Sequence, residues 1–336
     1  MRQEPRGFSL LSQQKFTSHR CGWNYALQAL QPLHKSEGIL FDGFLESTFC
    51  WGRDLPACRQ VPYHRPWAGF LHNPHNMPKW FLYHDSPQSI FSKPAWQESL
   101  ESCVGLFCLS EYQAEWVRSH IRKPVSTLIH PTEIPTRQFD FNKFVRNPHK
   151  KIVQLGWWLR QLNAIYQLPI ARHNPIGYEK IRLNPSSKPE SVKLINSLSE
   201  KEREIENISL MPQYLENTRE LSRLSDLEYD TLLTENIAFA FLHDSSANNT
   251  VIECIARATP IVVNPHPAVV EYLGKGYPLY ASSLQEAAEK VMVLDSIREA
   301  HEYLKVCDRR HQLSASYFRQ AFQSSEVYQL TRPVLG

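Results

Sequence analysis

The chain lacks any apolar run approaching the ~18–20 residues a membrane-spanning helix needs. Its start, Met-Arg-Gln-Glu-Pro-Arg, followed by the short patch Phe8–Leu11 and then Gln13, Gln14 and Lys15, lacks a signal-peptide core of ~7–15 apolar residues. Both absences point to the cytoplasm and away from a membrane partner. None of the seven cysteines (Cys21, Cys50, Cys58, Cys103, Cys108, Cys254, Cys307) forms a Cys-x-x-Cys pair, which argues for reduced thiols rather than zinc or disulfides. No Asp-x-Asp pair occurs, so the usual carboxylates for holding a divalent cation against a diphosphate are missing. His72 and His75 have too little carboxylate or thiolate near them in sequence to make a ligand set, and no metal is expected. A net charge of +3 is too small to argue for nucleic acid by itself. There is no internal repeat and no low-complexity segment.

What remains is an ordinary globular composition, 42% hydrophobic and 21% charged, over 336 residues, comfortable for two domains of ~150 residues. Residues 24–33 carry Tyr25, Leu27, Leu30 and Leu33 at helical spacing, and residues 38–41 read as a strand. Residues 51–66, rich in Pro, Arg and Cys, read as a loop; its Arg53, Arg59, His64 and Arg65 are either a patch for an acidic acceptor or a solvated surface. Trp67–Leu71 is a short strand running into the turn-rich residues 72–78. Cys103–Leu109 is a fully apolar strand; Ser110 with Gln113 then opens a helix to about Ile121, and Val125–Ile129 is the next strand.

Residues 131–149, with three prolines, read as a linker. A second series comes after it: strand 151–156, a polar helix over 187–205, strand 237–242, helix 250–257, strand 260–263 and helix 268–273. A small strand ends at Tyr280, Ser283 and Glu286 form a capping box, and helices fill most of 284–328. Alternating strands and helices imply parallel sheets, hence an α/β protein of two Rossmann-like domains. The expected division is residues 1–140 for an acceptor domain and 150–310 for a nucleotide-sugar domain, with 311–336 a helical tail that packs back on the first.

In such sheets ligands bind beyond the carboxyl ends of the strands, where helix N-termini present unpaired N–H groups. The stretch 241–263 is the most informative. A buried strand delivers the small, polar loop Ser245, Ser246, Asn248, Asn249, Thr250, whose helix amides suit a diphosphate. Glu253, one turn in, is placed to accept both hydroxyls of a ribose; an ordinary capped helix with a solvated glutamate explains the same residues.

This stretch resembles the nucleotide-sugar motif of GT-B glycosyltransferases, in particular the retaining family of sucrose and glycogen synthase relatives. The motif is Glu-x7-Glu, then a small-residue helix end and Thr-Pro-Val-Ile. Glu253 matches its second glutamate, and Ala256, Thr259 and Pro260 match the helix end and the next strand. Ser245 stands at the first glutamate, beside Asp244. Leu109-Ser110-Glu111-Tyr112, Ile129-His130-Pro131-Thr132 and Gly156-Trp157-Trp158-Leu159-Arg160 are similar to family segments in the same order. The resemblance implies that Gly156 and Arg160 meet the donor phosphates, that Glu253 holds the ribose, and that His72, ending the strand 67–71, contacts the transferred sugar. His75 and the pair His84-Asp85 compete for that last role. A lysine usual a few residues after the arginine is replaced by Asn163 and Ala164. Trp157-Trp158 could stack on a ligand or pack domain on domain.

The expected activity is therefore metal-independent transfer of a hexose or related sugar from a nucleoside diphosphate sugar, the co-substrate in place of any cofactor, to an acceptor the sequence does not name. Catalysis falls to Arg160 and His72. Donor binding falls to Gly156, Arg160, Ser245, Ser246, Asn248, Asn249, Thr250 and Glu253. Three rivals remain: a nucleotide-sugar epimerase of similar fold, a non-catalytic nucleotide-sugar binder, and a glycosyltransferase acting on a nucleic-acid base.

Overall fold

The computed structural model describes residues 7–10, 22–51, 61–184, 186 and 188–331. Cys21, Cys58, Arg53 and Arg59 lie outside the described residues, as does most of the loop expected over 51–66. The chain divides into two compact units, one of Met1–Glu133, Ser245–Ala247 and His311–Gly336, the other of Ile134–Asp244 and Asn248–Arg310.

The first unit is built on a five-stranded, all-parallel sheet whose strands lie in sequence order: β1 (Phe8–Leu10), β2 (Ile39–Asp42), β3 (Trp67–Phe70), β4 (Cys103–Cys108) and β5 (Val125–Thr127). β3 and β4 are almost wholly buried, as strands covered on both faces must be, which is why they read as continuous apolar runs. One face carries Phe8, Phe41, Phe70 and Phe107 against the helix Trp23–Leu30 and the C-terminal residues Phe318, Phe322, Val327 and Tyr328. The C-terminal segment thus supplies core to this unit. Gly105 lets it dock: a Cβ there would lie 2.7 Å from Val327 Cγ2 and 2.9 Å from the Pro124 carbonyl. The other face packs Trp67, Leu106 and Cys108 against Trp96, Ala114 and Val117. Ser110 caps the helix Glu111–His120, its hydroxyl accepting from the Gln113 amide at 3.4 Å.

The second unit has its own five-stranded parallel sheet, in the order β10 (Ile261–Val263), β9 (Ile237–Ala240), β6 (Lys151–Leu155), β7 (Glu179–Leu183), β8 (Thr218–Leu221). The order runs outward from β6 to β8 and then restarts on the other side with β9. The carboxyl ends of β6 and β9 are therefore a topological switch point, where the two loops splay and leave a crevice. A parallel bridge between Val263 and Tyr280 extends the sheet beyond β10 where the small strand was expected.

Several expectations need correction. The segment read as linker contains a helix, Phe141–Arg146, capped by Asp140, whose carboxylate accepts from the Asn142 and Lys143 amides. Two strands, β7 and β8, were not anticipated, because Glu-Lys-Ile-Arg-Leu and Thr-Arg-Glu-Leu carry too much charge to read as strands. β8 is an edge strand and keeps its charges in water. β7 is central and buries them: Lys180 donates to the Tyr166 and Leu168 carbonyls (3.3 and 2.9 Å), and Arg182 to the Tyr166 hydroxyl and Glu220. The box at Ser283 closes differently from expectation. Ser283 accepts from the Glu286 amide, but the Glu286 carboxylate receives the Ser282 amide.

Burial pushes the Lys180 ammonium down to about 7. An unfolded lysine titrates near 10.4, so between about pH 7 and pH 10 the unfolded chain holds a proton that the native chain does not, and stability from this residue rises with pH. Lys180→Met removes the dependence. In urea unfolding from pH 6.5 to 9.5 the wild type should gain on the variant by up to about 1.4 kcal/mol per pH unit. Parallel curves would show that Lys180 titrates normally.

Among the described residues no helix is long and apolar enough to cross a membrane. Cys50, Cys103, Cys108, Cys254 and Cys307 are free thiols.

Candidate functional site

At the switch point of the second unit, β6 ends in Gly156, whose φ of +73° is left-handed and whose missing Cβ would lie 3.1–3.3 Å from the Arg160 guanidinium. The chain turns again at Leu159 (φ 53°) and brings Arg160 back beneath the loop. The Gln161 amide donates to Phe241 O (2.8 Å) and the His243 amide to Leu159 O (2.9 Å), so the loops after β6 and β9 are stitched together. Arg160 is buried. Its Nε reaches Leu155 O (3.3 Å), Nη1 reaches Trp158 O (2.6 Å), and Nη2 reaches Asn248 Oδ1 (3.1 Å) and Thr250 Oγ1 (3.0 Å).

Asn248 caps the helix Asn249–Arg257, its Oδ1 accepting from the Thr250 and Val251 amides at 3.0 and 3.3 Å. One neutral oxygen thus receives three donors, two helix amides and a guanidinium. The guanidinium and two helix amides converge here on neutral oxygens, an arrangement of donors that suits an anion. Ser245 and Ser246 are buried, and the Ser246 hydroxyl has no hydrogen-bond partner among the described residues. Asn249 is exposed at the first helical position.

Glu253 lies on the buried side of that helix. The Tyr229 hydroxyl donates to its carboxylate, Arg257 Nη1 approaches to 3.7 Å, and Arg257 Nη2 binds Asp230 Oδ1 at 2.8 Å. The carboxylate is held in a buried network, not solvated. Trp157 and Trp158 meet edge to face at 5.4 Å and are half-buried.

Two further charged groups line the same strand ends and were missed from sequence. Asp244, fully buried, pairs with His266 Nε2 at 2.9 Å, while His266 Nδ1 receives the Ala268 amide, which leaves the ring proton on Nε2. His243 Nε2 meets Glu202 Oε1 at 2.7 Å, and its Nδ1 lies 3.7 Å from Glu206. Burial raises the Glu206 carboxyl, opposed by His243 and aided by Glu202. Sequence reading found no convincing ligand set, yet these three side chains bring ligand atoms within 4.8 Å of one another. Glu202 is nevertheless saturated, since it also accepts from the Leu162 and Asn163 amides and from Asn163 Nδ2. It acts as a clamp on the loop after Arg160. Only the fold brings these residues together, and the only sequence signal was a pair of glutamates one turn apart.

In the first unit His72 comes just after β3, and its carboxylate partner was also missed. Glu46, buried in the helix Leu45–Cys50 after β2, accepts from the His72 and Asn73 amides at 2.7 and 2.6 Å, and its Oε2 lies 3.5 Å from His72 Nδ1. One carboxylate, distant in sequence, thus reaches His72, and among the described residues these side chains form no group of three ligands. The ring sits edge to face against Trp23 (4.3 Å) and Phe44 (4.2 Å). The competing histidines differ. His75 contacts Gln113 and stacks on Trp116, and His84 is largely exposed beside Asp85. His64 is exposed and 3.7 Å from Glu98, as in a solvated loop.

No protein-family model and no curated protein sequence matches the chain. Solved structures of GT-B glycosyltransferases do match, and the chain has their fold, α/β with two Rossmann-like domains. An α,α-trehalose-phosphate synthase (UDP-forming) from Burkholderia vietnamiensis aligns with a TM-score of 0.57 at 13% identity over 92% of this chain and 77% of that one. The α,α-trehalose 6-phosphate synthase of Burkholderia multivorans aligns with 0.54 at 13% over 91% and 74%. S. aureus TarM, solved as a point mutant with fondaparinux, α-GlcNAc-glycerol and UDP, aligns with 0.56 at 11% over 90% of this chain and 58% of that one. At such identities the likeness is one of fold.

Proposed function

We propose that the protein transfers a sugar from a nucleoside diphosphate sugar to an acceptor, with the donor seated at the switch point of the second unit. The observation that carries this is the convergence of donors from Arg160 and the first turn of the helix Asn249–Arg257 on the Asn248 oxygen. A phosphate oxygen arriving there replaces neutral acceptors by an anionic one, and charge-assisted bonds are about twice as strong as neutral ones. As the glycosidic bond breaks, negative charge grows on the diphosphate, and the preorganised guanidinium and helix amides stabilise it. Glu253, one helical turn further, takes the ribose, exchanging the Tyr229 hydroxyl for those of the ligand. Asp244, held by His266, stands beside Ser245 and supplies the carboxylate that the motif's first glutamate would have supplied. His72 is kept as the candidate contact for a sugar hydroxyl.

UDP is the first nucleotide to test, because the Burkholderia vietnamiensis synthase is described as UDP-forming and TarM was solved with UDP. Thermal-shift measurements with UDP, GDP and ADP and their sugars test the seat directly; a ligand at 100-fold its Kd stabilises by ~2.7 kcal/mol. No shift with any of them at millimolar concentration sinks the proposal.

One observation favours a second reading, a nucleotide-sugar binder without turnover. Asn163, where the family lysine is expected, spends its amide on Glu202 and Ser199, so that loop brings no second cation to the phosphates. Binding without release of nucleoside diphosphate in the presence of candidate acceptors would select it. For the transferase, turnover should be unchanged in EDTA, since Arg160 and the helix amides do the work of a cation. Loss of activity in chelator with recovery in Mn²⁺ would refute metal independence and turn attention to His243, Glu202 and Glu206.

A further inference from the structure

The surroundings of His72 contain more unsatisfied polar atoms than a packed core tolerates. Among the described residues, Glu46 Oε2 and both ring nitrogens of His72 are buried without a hydrogen-bond partner, as is Nε1 of Trp23, whose ring lies 4.3 Å from the imidazole. Buried polar groups left unpaired are rare and costly, so a cluster of them marks a place where something polar belongs. The four atoms are not equivalent. Glu46 spends Oε1 on the His72 and Asn73 amides, which fixes its carboxylate, and this leaves Oε2 facing Nδ1 at 3.5 Å. A carboxylate oxygen only accepts, so that approach is attractive only if Nδ1 carries the ring proton. His130, the other imidazole against Trp23, is pushed down to about 4 by burial, so it is neutral near pH 7 and sets no competing charge on the ring.

We infer that Glu46 is a positioning residue that fixes His72 as the Nδ1–H tautomer, so that Nε2 presents a lone pair to a hydroxyl group of the bound sugar. Trp23, edge to face against the imidazole, carries a second unpaired donor, Nε1–H, among the described residues. The site therefore selects a neutral, hydroxyl-bearing ligand able to donate to one group and accept from the other. The inference rests on the reading of His72 as a sugar contact, but the tautomer it requires exists in the ligand-free protein and is measured without any activity.

The experiment is long-range ¹H–¹⁵N correlation spectroscopy on the full chain labelled with ¹⁵N-histidine, with His72 assigned by its disappearance in His72→Asn. Wild-type His72 should show the Nδ1–H pattern. Glu46→Gln keeps an oxygen for the His72 and Asn73 amides but turns an NH₂ toward Nδ1, so the pattern should switch to Nε2–H. Finding the Nε2–H tautomer in the wild type, or no switch in a folded Glu46→Gln, overturns the inference; the wild-type spectrum decides even if the variant does not fold. Turnover is the second readout. Glu46→Gln should lower kcat by roughly tenfold or more while donor KM changes little, because proton placement at a positioned histidine acts on the chemical step. In a His72→Asn background it should add nothing, which a merely structural glutamate would not obey. An additive loss overturns the inference. A correct tautomer with no turnover in any form upholds it and fails the transferase reading.

Discussion

Arg160→Ala should lower turnover by about a hundredfold and soften the second unit at the same time. The two effects have different origins. The catalytic loss comes from charge: removing one preorganised donor from a developing oxyanion costs about 10²–10³ in rate in other enzymes, and nothing else in this loop replaces the guanidinium. The structural loss comes from the four oxygens that Arg160 binds, Leu155 O, Trp158 O, Asn248 Oδ1 and Thr250 Oγ1, of which Asn248 Oδ1 keeps two helix amides and Leu155 O keeps the Thr250 hydroxyl. An unsatisfied buried acceptor costs about 1–3 kcal/mol, and water entering the vacated volume recovers part of it, so a net loss of about 2 kcal/mol is expected. Arg160→Lys restores the charge but not the fork, since an ammonium on a flexible stem cannot serve acceptors on opposite sides. It should recover part of the rate and little of the stability. The measurements are kcat under saturating donor and urea unfolding of the same preparations. A folded Arg160→Ala that turns over donor at the wild-type rate removes the phosphate seat from this loop.

Glu253→Gln should weaken nucleoside diphosphate binding by about tenfold or more with kcat largely preserved. A hydrogen bond to a charged acceptor contributes about 1.5–3 kcal/mol, and about 1.4 kcal/mol is a factor of ten. Because the ribose is held alike in ground and transition states, the loss appears in Kd and KM. The amide also turns a donor toward Arg257, which keeps Asp230 at 2.8 Å and the Glu253 carbonyl at 3.5 Å, so some stability is lost as well. Calorimetry with UDP and 2′,3′-dideoxy-UDP separates the contributions. Wild type should discriminate between the two, and the variant should bind both with similar, lower affinity. Equal discrimination by both proteins would show that Glu253 serves only the buried Tyr229–Arg257–Asp230 network.

Much of the architecture is local and was therefore legible. β3, β4, β9 and β10 are short apolar runs, β6 carries Ile152, Val153 and Leu155, and the helices Glu111–His120 and Asn249–Arg257 begin at Ser110 and Asn248, whose side chains cap them through bonds spanning only two or three residues. β7 and β8 escaped because what permits Lys180 and Arg182 in a central strand is partners elsewhere in the unit: carbonyls after β6 and Glu220 on the next strand. The helix Phe141–Arg146 was hidden in a segment with Pro131 and Pro135 upstream of its cap and Pro148 directly after its C-cap.

The candidate site divides along the same line. By itself the sequence determined an α/β protein and the chemistry of the loop after β9, because small polar residues, a helix start and a glutamate one turn in are neighbours along the chain. The tertiary structure alone decided which charges meet. Arg160 reaches Asn248 and Thr250 across a strand-order reversal, Glu202 clamps the loop at residues 162–163 and binds His243, and Glu46 holds His72 from the end of the adjacent strand. A parallel sheet brings its strand ends together through crossovers of a dozen or more residues, and side chains that far apart in sequence carry no local mark of being partners.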